Sequence, residues 1–248
     1  MNIVVVGGRG VVGTKLVPKL NEQGHHAISA SRATGMDAFT GEGVAAVLTD
    51  AHVVVDVTNP PSFEAATAIN FFETTTRNLL SAELEAGIHH HIMLSVVGAD
   101  RMTDNGYMRA KVAQEQLIQA GRVPYTILRA TQFFEFINTI IDVSTINQTV
   151  RLAPVLFQPI AVDDVIAALA DIVVSMPANG IVNLAGPEVF RLPDVAQRLF
   201  TITQRSCRMV MDSEAPYFGG RLNEQSLVPI GEHHAGATRF EDWLNSQP

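Results

Sequence analysis

The sequence predicts an α/β fold, a doubly wound parallel sheet with helices on both faces, and three observations carry that expectation. Short β-branched runs alternate with longer stretches of helical periodicity, the rhythm of a parallel sheet covered on both sides. A glycine-rich turn links the first run directly to the first helix. Hydrophobic residues make up 47% of the 248 residues and charged residues 17%, so a large buried core is available.

Taken in order, the strands fall at 2–6, 27–31, 53–57, 91–96 and 125–129, with helices over 11–22, 63–86, 107–120 and 132–146. The interval 31–53 is too short for helix, strand and helix, so any strand near 36–39 is brief. After residue 148 the rhythm loosens. Strand-like pieces at 149–152 and 180–185 mix with helices near 162–174 and 192–203, prolines punctuate the chain, and a last amphipathic helix ends at Trp243. The division expected is a dinucleotide-binding core over 1–148 and a small substrate lobe over 149–248, packed on the core rather than independent. Ligands of open α/β sheets bind at the carboxyl edge of the strands, where such a lobe would sit.

Composition excludes several classes. The net charge is −8 and only Lys15, Lys19 and Lys111 are lysines, with no basic run, so neither nucleic acid nor an anionic membrane is an expected partner. Cys207 is the single cysteine, which rules out an internal disulfide and a cysteine-rich zinc site. No secretory leader and no membrane-spanning run is visible, and a cytoplasmic protein is expected. His89-His90-His91 reads as a polar strand entrance rather than a metal site, since alternate side chains of a strand point to opposite faces. No metal is expected.

Gly7-Gly8-Arg9-Gly10-Val11-Val12-Gly13 follows the first strand and opens the first helix. It satisfies both G-x-x-G-x-x-G and G-x-G-x-x-G. Such a turn needs small residues so that backbone approaches a pyrophosphate closely, and the helix N-terminus offers free N–H groups and a positive dipole end. A dinucleotide is the expected cofactor. The second strand ends at Ala30, Ser31 and Arg32, where an acid would bind the ribose 2′-hydroxyl of NAD; none is present. Arg9 and Arg32 instead offer guanidinium groups to a 2′-phosphate, so NADP(H) is expected.

Read as G-x-x-G-x-x-G, the loop resembles the short-chain dehydrogenase/reductase superfamily. Tyr107-Met-Arg-Ala-Lys111, Pro124-Tyr-Thr-Ile-Leu-Arg129-Ala-Thr-Gln-Phe133 and Pro159-Ile-Ala-Val-Asp-Asp164 are similar to its atypical, NmrA-like branch. That branch holds NADPH-dependent quinone- and dye-reducing enzymes and also non-catalytic redox sensors. The resemblance implies a Rossmann core with a small C-terminal substrate lobe. It further implies that Gly7, Arg9, Gly10, Val12 and Gly13 line the pyrophosphate, and that Ser31 and Arg32 meet the 2′-phosphate. Asp37 would face the adenine, while Val57, Thr58 and Asn59 would run beside adenosine and pyrophosphate. Ser95 and Val96 would lie under the nicotinamide, Lys111 would bind its ribose, and Thr131 to Phe133 would pass near the ring.

Tyr107 and Lys111 share one helix face at Y-x-x-x-K spacing. An ammonium beside a phenol favours the phenolate, and the phenol can then exchange a proton with a carbonyl as hydride moves. Ser95 would orient that carbonyl. The expected activity is reduction of a small quinone-like or carbonyl substrate, with catalytic Tyr107, Lys111 and Ser95. The alternative is a non-catalytic dinucleotide sensor that reports to a protein partner. Self-association into a homo-oligomer is left open.

Overall fold

The computed structural model describes residues 1–203 and 207–246. The first half of the chain runs β1 (Asn2–Val6), α1 (Gly13–Glu22), β2 (His26–Ala30), α2 (Val44–Val47), β3 (Val53–Asp56), α3 (Ala65–Ala86), β4 (His90–Val96), α4 (Gly106–Gln119) and β5 (Tyr125–Ala130). The rest runs α5 (Ile137–Val143), β6 (Thr145–Ile146), β7 (Thr149–Leu152), β8 (Leu156–Phe157), α6 (Val162–Val174), β9 (Gly180–Ala185), β10 (Phe190–Arg191), α7 (Leu192–Thr203), β11 (Arg208–Met211), β12 (His234–Ala235) and α8 (Phe240–Ser246).

Seven strands form one parallel sheet in the order β12-β9-β5-β4-β3-β1-β2. Strand alternation divides its two faces. Ile3 and Val5 of β1 pack with Leu16 and Leu20 of α1 and with Val165 and Leu169 of α6. Val4 and Val6 point the other way, into a cluster with Leu79 of α3 and with Met36, Val44 and Leu48. This is the doubly wound Rossmann arrangement, and no described helix is long and apolar enough to cross a membrane.

Chain beyond residue 148 contributes to both layers. β9 and β12 extend the main sheet and α6 packs on the face that carries α1, whereas β6, β7 and β11 form a three-stranded sheet and β8 pairs with β10. These smaller pieces, with α5, α7 and α8, enclose a second apolar cluster that includes Phe134, Phe157, Leu199 and Phe240.

Two segments differ from the expected elements, and the interval before β3, with room for a brief strand at most, holds none. No strand forms near 36–39, where Asp37 and Glu42 close a turn and Asn78 Nδ2 holds the carbonyls of Ala38 and Phe39. The helix expected from 132 begins only at Ile137, after a 3₁₀ turn over Phe134–Phe136. Backbone of the preceding residues is taken by Ile160, whose N–H donates to Gln132 O and whose carbonyl accepts from Phe134 N–H. The final helix starts at Phe240, capped by Glu188, so Trp243 lies inside it.

Of the three histidines, His90 and His91 are buried in β4 and His89 is exposed. His91 lies in β4 with both side chains of the His91–Glu83 pair fully buried, at 2.9 Å, and His90 Nε2 meets Thr126 Oγ1 at 2.8 Å. Burial alone would push His91 down, but the charge and hydrogen bond of Glu83, with the charge of Asp56, outweigh it and raise its pKa. Burial, then the charge of His91, lowers His90 to about 4. A raised histidine stabilises the fold fully below its unfolded value and loses that contribution as pH rises through its folded value. His90 has the opposite sign, losing its contribution as pH falls from about 6.5 towards 4. Glu83→Gln should therefore destabilise most at pH 5.5, by about 3–5 kcal/mol as for other broken buried pairs, and less at pH 8.5. Urea unfolding of both proteins at the two pH values checks this.

Candidate functional site

The sheet order reverses between β1 and β3, because chain leaving β1 passes to β2 on one side and returns to β3 on the other. Ligands of open α/β sheets enter at such a point. There the two strand ends meet closely. A Cβ on Gly7, whose φ is +79°, would lie 2.8 Å from Val57 O, and one on Gly8 would lie 2.5 Å from Ser29 Oγ. A Cβ on Gly13 would overlap Gly8 backbone, so these three glycines are fixed by packing within the protein. Gly10 differs: its Cβ would meet only Gly7 O, at 3.3 Å, and otherwise open space. Any further need for glycine at position 10 comes from what occupies that space.

The turn is held by Gly10 N–H to Gly7 O at 2.9 Å and Thr14 N–H to Gly10 O at 3.0 Å. α1 then starts with no acidic residue in its first turn, leaving its positive end unneutralised. Val12 caps it with a buried side chain, so only its backbone is available to a ligand. Arg9 and Arg32 are exposed, and among the described residues neither has an ion-pair partner. Beside the loop lies a concavity of about 400 Å³ lined by Gly8, Arg9, Thr14, Val17, Pro18, Ser29 and Thr34. Ser31 N–H donates to Thr34 Oγ1 at 2.9 Å, and Asp37 Oδ1 accepts from Phe39 N–H at 2.9 Å. Asp37 therefore commits one carboxylate oxygen to its own turn.

Buried polar atoms without partners mark the same edge. Ser29 Oγ in β2, Thr58 Oγ1 after β3, Thr131 Oγ1 after β5 and both amide atoms of Gln132 have no hydrogen bond among the described residues. Each buried group left unpaired costs about 1–3 kcal/mol. Together with the glycine cradle, this row fits an elongated polar ligand crossing the strand ends, which is the shape of a dinucleotide. Gln132, 7% exposed, has no place in the sequence expectation beyond lying between Thr131 and Phe133. A polar amide at the end of an otherwise apolar strand was the available signal. Among the described residues, no three His, Cys, Asp or Glu groups gather as for a metal.

The residues of α4 divide in two. Tyr107 is half-buried, its ring edge-on to Phe63 at 5.1 Å and to Phe72 at 6.0 Å, and its hydroxyl donates to Asn59 Oδ1 at 3.1 Å. Burial raises its pKa. The expected phenolate-favouring ammonium is not what acts on it, because Lys111 turns inward. Lys111 Nζ donates to Leu94 O at 2.9 Å and to Gln114 Oε1 at 2.7 Å, and sits 4.4 Å over the Phe72 ring. Gln114 passes the contact on to Asp56 Oδ2 at 2.9 Å, while Asp56 Oδ1 accepts from Thr58 N–H at 2.9 Å. Burial lowers Lys111 to about 8 against the raising charges of Asp56 and Glu115. At 3% exposure its ammonium ties α4 to β4 directly and, through Gln114, to the end of β3.

Ser95 also departs from expectation. Its hydroxyl donates to Glu115 at 2.5 Å, and Glu115 accepts from Arg129 Nε and Nη2 at 2.9 and 2.6 Å. Asp100 completes the group at 3.1 Å from Arg129. Ser95 is thus engaged beneath the strand end, whereas Val96 beside it is half-buried and packs toward Tyr107's cluster. The Y-x-x-x-K spacing places both residues on one helix, but the structure brings Tyr107 to Asn59 and sends Lys111 into the interior.

Residues 7–174 match the family model described as NAD(P)H-binding. No curated protein matches the sequence. Among solved structures, MoeE5 in complex with UDP-glucose and NAD is 17% identical, covering 100% of this chain and 97% of that one with a TM-score of 0.75. The dTDP-4-dehydrorhamnose reductase of Bacillus anthracis, in complex with NADP, is 16% identical over 99% and 92%, with a TM-score of 0.69. The UDP-glucose 4-epimerase of Thermotoga maritima is 15% identical over 98% and 96%, at 0.72. These likenesses concern the fold.

The engagement of Ser95 has a measurable consequence in the protein without nucleotide. Ser95→Ala removes a buried bond to a charged group, which contributes roughly 1.5–3 kcal/mol. Urea unfolding should show a loss of that size. Unchanged stability would mean that the hydroxyl faces the ligand edge instead.

Proposed function

The chain belongs to the NAD(P)H-binding family, of atypical short-chain dehydrogenase/reductase type, and from that premise we propose that it is an NADPH-dependent reductase of a small quinone-like or carbonyl substrate. The observation that carries the cofactor reading is the row of buried, unpartnered polar atoms along the glycine-cradled strand ends. Gly7, Gly10 and Gly13, with the backbone of Val12, line the pyrophosphate. Val57, Thr58 and Asn59 run beside it, and Val96, Thr131, Gln132 and Phe133 surround the nicotinamide. Preference for NADP over NAD rests on the exposed Arg9 and Arg32 and on the absence of an acid at the end of β2; in this reading Ser31 joins Arg32 at the 2′-phosphate and Asp37 faces the adenine. The stretch 149–248 acts as the substrate lobe, and the protein works in the cytoplasm.

Bound NADPH supplies a hydride to the substrate. Tyr107 keeps its proton at neutral pH and donates its hydroxyl hydrogen bond to Asn59, while burial raises its pKa and so makes it a weaker acid than a free phenol. A quinone reduced by hydride can also take its proton from water, so the substrate class does not require Tyr107. Lys111 and Ser95 act as positioning residues. Their inward orientation also favours a second reading, a dinucleotide sensor without turnover. NADPH oxidation with a panel of quinones and carbonyls separates the two: turnover of any supports the reductase, and tight binding without turnover supports the sensor.

Two substitutions test the cofactor assignment by calorimetry. Gly10→Val puts a branched side chain into space the protein itself leaves open, so folding should survive while NADP binding is abolished; equal affinity in both proteins contradicts the site. Arg32→Ala should weaken NADP binding about tenfold or more, a charge-assisted contact contributing roughly 1.5–3 kcal/mol, with little effect on NAD. Parallel losses for both dinucleotides would remove the 2′-phosphate contact.

A further inference from the structure

A two-residue hairpin tip lies against the N-terminus of α4. Tyr217 N–H donates to Gly220 O at 2.7 Å and Gly220 N–H returns to Tyr217 O at 3.1 Å. The central residues, Phe218 and Gly219, both have positive φ, +48° and +83°. This turn geometry favours Asn, Asp or Gly at its first central position, and an aromatic residue there is held against its backbone preference. The ring does not compensate by deep burial. Phe218 is half-buried, stacked on Phe136 with centroids 5.7 Å apart and planes at 18°, and edge-on to Tyr217 at 5.0 Å.

The tip is locked in place. Asn105 Oδ1 accepts from Met108 N–H and so starts α4, the helix carrying Tyr107. The same side chain donates through Nδ2 to the carbonyls of Tyr217 and Phe218, at 3.1 and 3.3 Å. Arg221 N–H donates to Asp104 at 3.0 Å, and a Cβ on Gly220 would come 2.9 Å from that of Asn105. Phe136 is itself half-buried, in the turn that leaves the end of β5 directly after Gln132 and Phe133. The strained ring is therefore presented, on a rigid mount, between the helix of Tyr107 and the strand end expected to face the nicotinamide.

We propose that Phe218 and Phe136 form an aromatic platform on which the planar, conjugated ring of the substrate stacks. This rests on the reductase reading and narrows it to flat acceptors of the quinone class. Stacking of the substrate on this half-buried ring pair explains why a phenylalanine stands at a turn position that asparagine would occupy with less strain.

The test uses the full chain with NADP⁺, which cannot reduce the probe, and 1,4-naphthoquinone titrated by calorimetry. Phe218→Asn should unfold at the wild-type temperature or above and bind NADP⁺ unchanged, while affinity for the quinone falls at least tenfold. Phe136→Leu, which keeps apolar bulk but loses the stack, should give the same selective loss. Cyclohexane-1,4-dione, of similar polarity but not conjugated, should bind at least tenfold more weakly than the quinone to the wild type. The platform is overturned if Phe218→Asn destabilises the fold or fails to fold, if both variants keep the quinone affinity, or if wild type with NADP⁺ bound does not take the quinone. Failure of NADP⁺ itself to bind would be a different result, overturning the cofactor reading beneath it.

Discussion

The constraint on which the rest depends is the close approach of β1 and β3 at the point where the sheet order reverses. No side chain fits at Gly7, because Val57 and Thr58 backbone already lies against it. That contact fixes where the first turn goes, which in turn sets the start of α1 and the concavity beside Arg9. It also places Thr58 at the lip of the crevice, within reach of a ligand passing over Gly10. A fold with a wider gap here would have room for side chains in the loop but would lose the continuous edge that a long ligand needs.

A second constraint works from below. α4 presents Lys111, Gln114 and Glu115 to the interior, all nearly inaccessible, where an apolar face would be simpler. Buried charges persist only when paired and hydrogen-bonded. Here one chain of contacts runs from Leu94 through Lys111 and Gln114 to Asp56 and Thr58, and a second from Ser95 through Glu115 and Arg129 to Asp100. Both chains end at strand termini that border the crevice. Their effect is to hold those termini, and so Thr58 after β3 and Val96 at the end of β4, in one arrangement before any ligand arrives.

Much of this was legible in the sequence. The strand–glycine turn–helix signal located the crevice because it depends on local sterics, and the five strands of the first half fell within a residue or so of their observed ends. The seven-stranded order includes β9 and β12, which no local pattern assigns to the main sheet rather than the lobe. The roles of Ser95 and Lys111 were less accessible. Helical spacing says that Tyr107 and Lys111 share a face, but not which way a long flexible side chain turns. That depended on Glu115, Gln114 and Asp56, whose partners are set by tertiary packing. Gln132 fell inside the stretch Thr131 to Phe133 expected near the ring, but its burial without a partner depends on tertiary packing. Phe218 escaped attention because a positive φ at an aromatic residue leaves no local signature.

The most direct test of the account is a crystal structure of the protein with NADPH. The 2′-phosphate is expected between Arg9 and Arg32, the pyrophosphate over Gly10 at the start of α1, and the nicotinamide at the end of β5. Hydrogen bonds from the ligand to Thr58, Thr131 or Gln132 should satisfy the atoms now without partners. A dinucleotide bound elsewhere, or bound along this edge with those atoms still unpaired, would contradict it.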